Sequence, residues 1–201
     1  MKILIFDVET NGLRPKKNTD WKLEPYIIQI ACKLVQGKKV LGQLSSFIIP
    51  LDERGDRVSI PKEKFFLDQG YTDEFIREVG GDQRTVMAMF NQFMCRADAV
   101  VAHNANFDWP ILAAAYKRND RDIGSMYGGP VYCTMLSLVD HLKLPTKWGK
   151  YKWPTLAEAY EALVDPGGFN SAHDAMADVA ETHKVLQAIE ELKLELVEIK
   201  R

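Results

Sequence analysis

The amino-acid sequence predicts a mixed α/β fold, in which a mixed five-stranded sheet is flanked by helices. Three observations support this class: an almost unbroken apolar run at the N-terminus, two β-rich segments after it, and helical patterns that alternate with short apolar runs in the rest of the chain. The first three strands would form an antiparallel meander, and the later alternation is typical of a sheet covered by helices. The chain has 201 residues, of which 46% are hydrophobic, so we expect one domain over residues 1–201.

The first strand is predicted over residues 2–8, a short apolar run that fits a strand buried on both faces. Asp7 and Glu9 lie at its C-terminal end. Side chains two apart in a strand point to the same side, so the two carboxylates would stand together. Like charges at this distance repel, which indicates a cation between them. The alternative is a polar strand end that carries two acids by chance, and this stretch alone favours neither interpretation.

Turn signals and hydrophobic spacing predict the next elements. Residues 12–25 are polar and turn-rich, which predicts a loop beside the acidic strand end. Two β-rich segments, 26–35 and 40–49, are separated by a Gln-Gly-Lys-Lys turn and complete the meander. After a charged loop, helices are predicted at 61–68, at 72–79 with Thr72 as N-cap, and at 82–96 with helical apolar spacing.

The second half of the sequence alternates between helices and short strands. Brief apolar runs predict strands at 99–102 and 131–133. Helical patterns predict the elements around them, at 107–118, 135–142, 155–163 and 174 to about 200.

A polar segment at 103–108, His-Asn-Ala-Asn-Phe-Asp, leaves a buried strand and leads into a helix. Asp108 is therefore placed near a strand end, like Asp7 and Glu9. A simpler explanation is that Asn104 or Asp108 caps the helix, with Pro110 in its first turn, and on this stretch alone the cap is favoured.

A third polar segment at 173–178, His-Asp-Ala-Met-Ala-Asp, opens the last predicted helix. His173 and Asp178 are separated by about 140° around a helix of ~3.6 residues per turn, so they share a side only loosely. They share it more easily if His173 precedes the first turn. Asp174 is then the natural N-cap, with a structural role.

Together, these three segments resemble the motifs of the DEDDh 3′-to-5′ exonucleases. The order is Asp-x-Glu at Asp7, the HNxxFD segment about a hundred residues later, and HDAxxD near the C-terminus. This DnaQ-like group includes polymerase proofreading subunits, ribonuclease T and oligoribonuclease. Each motif alone is weakly specific, but in this order they cover nearly the whole chain, from Asp7 to Asp178. The resemblance implies a ribonuclease-H-like sheet and an enzyme that releases nucleoside 5′-monophosphates from a free 3′ end.

Carried over residue by residue, the resemblance implies that Asp7, Glu9, Asp108 and Asp178 are metal-binding carboxylates and that His173 is the general base. A site of carboxylate oxygens without cysteine suits Mg²⁺, with Mn²⁺ able to substitute. Two such ions roughly 4 Å apart can stabilise both the attacking and the leaving oxygen at phosphorus. The positive end of the last helix would favour neutral His173, which is the form that a base requires.

The resemblance also suggests contacts with the substrate. Thr10 and Asn11 would meet the terminal sugar, and Leu13 would wedge against the last base. Asn104 and Phe107 would position the strand or stack on it, although core packing explains Phe107 equally well. Asn11 stands where the family commonly has threonine, a departure that affects the contact with the terminal nucleotide and leaves the metal ligands untouched.

Residues 143–153, Lys-Leu-Pro-Thr-Lys-Trp-Gly-Lys-Tyr-Lys-Trp, interleave lysines with large aromatic side chains. This pattern is typical of a single-strand platform, where bases stack and lysines neutralise phosphates. The alternative is a lysine-rich surface loop anchored by tryptophans. We favour the platform, with Lys147 and Trp148 as substrate-binding residues.

Composition limits the class of protein further. Lys and Arg number 26 against 28 Asp and Glu, and the pI is about 6.1, so the chain is not a polybasic nucleic-acid coat. The three separated cysteines suggest neither a disulfide framework nor a zinc knuckle. No apolar stretch approaches the ~18 residues of a membrane span, so we expect a cytoplasmic protein that does not bind membranes.

The expected partner is the 3′ end of single-stranded nucleic acid, with DNA favoured and an RNA-processing exoribonuclease as the alternative. Relatives such as ribonuclease T work as homodimers, so a second copy is another candidate partner, although no interface is evident in the sequence. The chain ends 23 residues after Asp178, which leaves no long tail for docking a polymerase, so a polymerase partner is not indicated, although a short surface could still bind one. Two other classes stay open: a small-phosphoester hydrolase, which would prefer a mononucleotide ester, and a non-catalytic nucleic-acid-binding module, which the filled catalytic positions argue against.

Overall fold

The computed structural model describes residues 1–16, 20–147, 149–169 and 174–200. The strands of this described part are β1 (Ile3–Thr10), β2 (Ile27–Gln36), β3 (Lys39–Phe47), β4 (Ala99–Ala102), β5 (Val131–Cys133) and β6 (Val197–Glu198). They form a six-stranded mixed sheet in the order β3-β2-β1-β4-β5-β6. The predicted α/β class and the antiparallel meander are confirmed, and the sheet has one strand more than predicted.

The described helices are α1 (Lys64–Asp68), α2 (Asp73–Val79), α3 (Gln83–Met94), α4 (Ala105–Arg118), α5 (Ile123–Met126), α6 (Thr134–Leu142), α7 (Leu156–Leu163) and α8 (Ala175–Glu191). A 3₁₀ turn, Trp21–Leu23, lies within the predicted loop at 12–25. Thr72 caps α2 as predicted, because its hydroxyl accepts a hydrogen bond from the Phe75 amide. None of these described helices has both the length and the apolar character needed to cross a membrane.

Strand β1 is the central element of the sheet. It pairs antiparallel with β2 along its whole length and parallel with β4 at its N-terminal half. Leu4, Phe6 and Val8 belong to the core on the α3 and α4 side, whereas Ile3 and Ile5 face α8 on the other side. Because side chains alternate along a strand, the odd-numbered residues that follow Ile5 continue the α8 face.

The pairing of β1 with β2 changes register at its C-terminal end. Glu9 lies opposite Gln29 while Thr10 lies opposite Ile27, so Ile28 is an extra residue on β2. A bulge of this kind bends the strand and increases its twist, and bulges recur beside functional sites. Here the bulge lies directly beside Glu9.

The last helix is shorter than predicted, because α8 ends at Glu191 and does not continue to about residue 200. Lys193 adopts a left-handed conformation with φ of 56°. The amides of Lys193 and Leu194 donate to the carbonyls of Glu190 and Ile189, which closes a Schellman motif. The chain then turns back to form β6, which pairs with the edge of β5 and is the sixth strand.

Two arginines connect the segment before β2, residues 20–26, to helix α4. Arg14 binds both carboxylate oxygens of Glu24 at 2.7 Å, and its Nη1 donates to the Asn106 carbonyl at 2.7 Å. Pro110 lies in the second turn of α4 rather than in the predicted first turn, and it lacks the N–H that would pair with that carbonyl. Arg14 supplies the missing donor and so joins this segment to the start of α4.

Arg118 is the second of these arginines and is almost fully buried. Its guanidinium donates to the carbonyls of Pro25 at 3.1 Å and Glu24 at 2.5 Å. It also lies 3.8 Å from the centroid of the Tyr26 ring, where the cation is attracted to the π face. The end of the segment is therefore attached to the C-terminal turn of α4.

We expect Arg118→Ala to lower the free energy of unfolding by about 2–4 kcal/mol, because it leaves buried carbonyls without donors. Urea unfolding followed by circular dichroism measures this change. Lys117→Ala, at the exposed neighbouring position, is the control and should change the free energy by less than about 0.5 kcal/mol. Equal effects of the two substitutions would contradict the assigned role of Arg118.

Candidate active site

Carboxylates from two elements meet at the C-terminal end of β1. Asp7 and Glu9 project from β1, and Asp178 projects from the first turn of α8. One oxygen of each lies within 4.8 Å of the other two. The alternation of β1 accounts for the shared side of Asp7 and Glu9, and the packing of α8 on that face brings Asp178 to them.

Asp108 approaches the same point from α4. It is only 3% exposed, and the nearby Val8 backbone amide acts to lower its pKa. Its charge acts on Asp7 more strongly than that of any other carboxylate in the described chain. The capping explanation is wrong for this residue, because Asn104 occupies the N-cap position of α4.

Burial and mutual repulsion shape the electrostatics of this cluster. Burial, followed by repulsion from Asp108, Glu9 and Asp178, holds the pKa of Asp7 well above its ordinary value. Burial together with Asp178 and Asp174 raises the pKa of Glu9 from 4.5 to about 7. Burial also raises the pKa of Asp108, although backbone amides partly offset the effect. A cation among these groups would relieve the repulsion and return them to the ionised state.

The donor set fits a hard divalent cation. Asp7, Glu9 and Asp178 offer carboxylate oxygens at distances that one ion can span, and Asp108 adjoins them. Oxygen-only sets of this kind suit Mg²⁺ and Mn²⁺. These residues are therefore the ones that could hold the metal.

Thr10, Asn11 and Leu13 follow Glu9 closely along the chain. The Thr10 hydroxyl donates to the Gly12 carbonyl at 2.7 Å. The Asn11 side-chain oxygen accepts from the Tyr26 amide at 2.8 Å, so its amide nitrogen is the group that would meet a ligand. Leu13 is 88% exposed, as a side chain that wedges against a base would have to be.

Asn104 and Phe107 lie at the start of α4. Asn104 has a φ of 77°, a left-handed conformation, and its side chain makes no capping hydrogen bond to the described helix. Strained conformations of this kind cluster at binding sites. Phe107 is partly buried and packs against the main core, which supports the packing explanation for this residue.

Four other residues of the sequence analysis have different outcomes. Lys147 is exposed in the segment between α6 and α7. His173 and Trp148 lie outside the described residues. Asp174 is the N-cap of α8 as predicted, and one of its oxygens accepts from the amides of Met176 and Ala177.

His103 has a structural role that the sequence analysis did not identify. Its Nε2 faces the Pro154 carbonyl at 3.1 Å, and its Nδ1 faces the Thr134 hydroxyl at 2.9 Å. A carbonyl only accepts, so Nε2 carries the proton and Nδ1 accepts from the hydroxyl. Burial lowers the pKa of His103 to about 4, so the ring is neutral at physiological pH. His103 therefore joins the end of β4 to the end of the lysine-rich segment.

The mixed sheet with a carboxylate cluster at the end of its central strand fits a nuclease of ribonuclease-H-like fold, and comparisons with known proteins show the family. The sequence model of a protein family described as "Exonuclease" matches residues 4–186 of this chain. The PolC-type DNA polymerase III of Latilactobacillus sakei is 30% identical over 190 residues, which are 93% of this chain and 11% of that protein. The chain thus spans about one-ninth of the length of this curated relative.

Solved structures show the same fold. Escherichia coli Exonuclease I in complex with a dT13 oligonucleotide superposes with a TM-score of 0.72 at 19% identity, over 94% of this chain and 41% of that one. The nuclease domain of 3′hExo, a DEDDh family member bound to rAMP, gives a TM-score of 0.70 at 12% identity, over 100% and 96% of the two chains. The chain belongs to the exonuclease family. The DEDDh exonucleases depend on divalent metal, and the carboxylate cluster of this chain fits that dependence.

The raised pKa of Glu9 predicts how stability depends on pH when metal is removed by EDTA. Between pH 4.5 and about 7, the folded state holds a proton on Glu9 that the unfolded state has lost. The free energy of unfolding therefore falls as pH rises through this window. The charges of Asp178 and Asp174 contribute to the raised pKa of Glu9, and the raised pKa of Asp7 changes stability in the same direction.

We expect the melting temperature of the wild type in EDTA to fall between pH 5.5 and pH 8. Glu9→Gln should raise it at pH 8 by on the order of 5 °C and should flatten its pH dependence. Differential scanning calorimetry measures both effects. Glu53→Gln, at an exposed position, is the control and should keep the slope of the wild type. The same slope in Glu9→Gln would refute the shifted titration.

Proposed function

We propose that residues 1–201 act as a single metal-dependent exonuclease domain that removes nucleotides from the 3′ end of single-stranded DNA. The observation that carries this proposal is the cluster of Asp7, Glu9 and Asp178 within 4.8 Å at the end of the central strand, with Asp108 beside it. The products are nucleoside 5′-monophosphates.

Asp7, Glu9, Asp108 and Asp178 would hold two Mg²⁺ ions, with Mn²⁺ able to substitute. When bound, the metal polarises the scissile phosphate and stabilises the charge that develops on it. The carboxylates would hold the cations at the end of β1, and the repulsion among the carboxylates favours this binding. The bound cations would largely cancel the carboxylate charge and so let this place accept a polyanion, even though the chain carries a net charge of −2.

His173 is proposed as the general base that takes a proton from the attacking water. In the sequence it directly precedes Asp174, the N-cap of α8, so we expect the positive potential at that end of the helix to act on it. A positive potential disfavours the imidazolium form, which keeps the imidazole available as a proton acceptor.

Thr10, Asn11, Leu13 and Asn104 are proposed to bind the terminal nucleotide. The Asn11 amide nitrogen and the hydroxyl oxygen of Thr10 offer polar contacts for the sugar, and the exposed Leu13 offers an apolar surface for the last base. Asn104 is the N-cap of α4, the helix that carries Asp108.

DNA is favoured over RNA for two reasons. The PolC-type relative is a DNA polymerase by name, and the similar Exonuclease I structure contains a dT13 oligonucleotide. A processing exoribonuclease is the second candidate, supported by the rAMP bound to 3′hExo. Discrimination between DNA and RNA depends on contacts between the protein and the 2′-hydroxyl of the substrate.

The direct test is a gel assay with 5′-labelled single-stranded DNA and RNA of the same sequence. We expect stepwise shortening from the 3′ end, faster on DNA, that stops in EDTA. Asp7→Asn should lower the rate by on the order of 10²–10³-fold or more, because a ligand charge at the phosphate is lost.

Asp140→Asn, an exposed acid on α6, is the matched control and should keep the rate of the wild type. Faster shortening of RNA would select the exoribonuclease. Failure to shorten either polymer with Mg²⁺ or Mn²⁺ would refute the exonuclease proposal and leave the small-phosphoester hydrolase or the binding module.

The lysine-rich segment between α6 and α7 is proposed as a platform for the strand. Tyr151 and Trp153 are 46% and 65% exposed, so aromatic faces and lysines share this surface. Base stacking on an aromatic side chain and phosphate neutralisation by lysine both favour single strands.

We expect Trp148→Ala to weaken the binding of single-stranded DNA by about 5–100-fold. Lys147→Ala should reduce the slope of log affinity against log salt by about 0.7. Fluorescence anisotropy with Ca²⁺ in place of Mg²⁺ measures both. Lys39→Ala, an exposed lysine at the far end of the sheet, serves as the control. If the two platform variants bind like this control, the platform has no role in substrate binding.

A further inference from the structure

Gln29 is a buried polar residue on β2 that joins three parts of the chain. It is only 2% exposed. Its Nε2 donates to the Asp174 carboxylate at 2.9 Å, and its Oε1 accepts from the Ala175 amide at 3.2 Å and from the Tyr71 hydroxyl at 3.4 Å. Both ends of the side-chain amide are thus used.

The contacts with Asp174 and Ala175 fix the first turn of α8. One Asp174 oxygen caps the helix, while the other accepts from Gln29. The Ala175 amide is one of the N–H groups that a helix leaves without an intrahelical partner, and Gln29 satisfies it. Asp178 lies within the same first turn, so its position depends on where this turn is held.

Gln29 is also tied to the strand that carries the other two carboxylates. It lies opposite Glu9 in the β1–β2 pairing, next to the bulge. One side chain therefore links the strand pair that presents Glu9 to the helix that presents Asp178.

We propose that Gln29 is a positioning residue that sets the spacing between the β1 carboxylates and Asp178, and through it the affinity of the site for a divalent cation. This inference rests on the proposed metal site. A glutamine suits this position because it donates to a carboxylate and accepts from an amide at the same time. Residues that support metal ligands in this way typically change metal affinity by 10–100-fold when they are lost.

Tyr71 extends the same network to a second core. Its ring packs with Ile28, Ile60, Phe66 and Ile76 in the core formed under α1 and α2. Its hydroxyl donates to the Gln29 oxygen. The segment from 60 to 79 thereby supports the side chain that holds α8, and Tyr71→Phe removes that support without removing the ring.

The test is a titration of the metal-free protein with Mn²⁺ in the absence of nucleic acid, followed by electron paramagnetic resonance of free Mn²⁺. Gln29→Met keeps the length of the side chain and removes its hydrogen bonds, and should weaken Mn²⁺ binding about tenfold. Tyr71→Phe should weaken it about two- to fivefold. Gln36→Met, at the exposed end of the same strand, is the control and should bind like the wild type.

A merely structural role would lower the melting temperature in EDTA and leave the Mn²⁺ affinity unchanged. Gln29→Met protein that binds Mn²⁺ within twofold of the wild type would therefore overturn the proposal. If Gln29→Met does not fold, Tyr71→Phe decides: weaker binding supports the proposal, and unchanged binding overturns it. A wild type that binds no Mn²⁺ would refute the proposed metal site as well, whereas unchanged variants beside a binding wild type refute only the role of Gln29.

Discussion

The structure depends on keeping several carboxylates together at one point against their mutual repulsion. An isolated strand end would splay such side chains apart, so the cluster requires a rigid frame. β1 provides it, because β2 and β4 pair with it on both edges and separate cores pack on both of its faces. Asp7 and Glu9 are thus attached to a strand that is held by its neighbours, α4 and α8 bring Asp108 and Asp178 to them, and a bound cation would relieve the repulsion that remains.

The local irregularities of the chain surround this frame. The bulge on β2, the left-handed Asn104 and the carbonyl that Pro110 leaves for Arg14 all lie at or beside the segments that carry the carboxylates. Each departs from regular helix or strand geometry, and the carbonyl left by Pro110 is compensated by the hydrogen bond from Arg14. Such departures are expected where a backbone is shaped for a ligand rather than for stability alone.

The sequence predicted side-chain positions and helix caps correctly where these depend on neighbouring residues in the chain. Alternation along β1 correctly placed Asp7 and Glu9 on one side, and the capping residues Thr72 and Asp174 were found from their positions before helices. The end of α8 was missed because the left-handed residue of its Schellman motif is Lys193 rather than the usual glycine. Strand β6 was missed as well, because a strand of two residues is too short to show an alternating hydrophobic pattern.

Gln29 shows why the supporting residues of a site are harder to find than its ligands. Carboxylate ligands are restricted by chemistry to Asp and Glu, so their types and spacing are visible in a sequence. The role of a glutamine in an apolar strand can be recognised only from its partners in the folded chain, such as Asp174, which is 145 positions away. The carboxylate cluster is therefore complete only when the first strand and the last helix have met. A cation that requires the complete cluster must bind the folded chain in preference to the unfolded one, so metal binding and the packing of α8 stabilise each other.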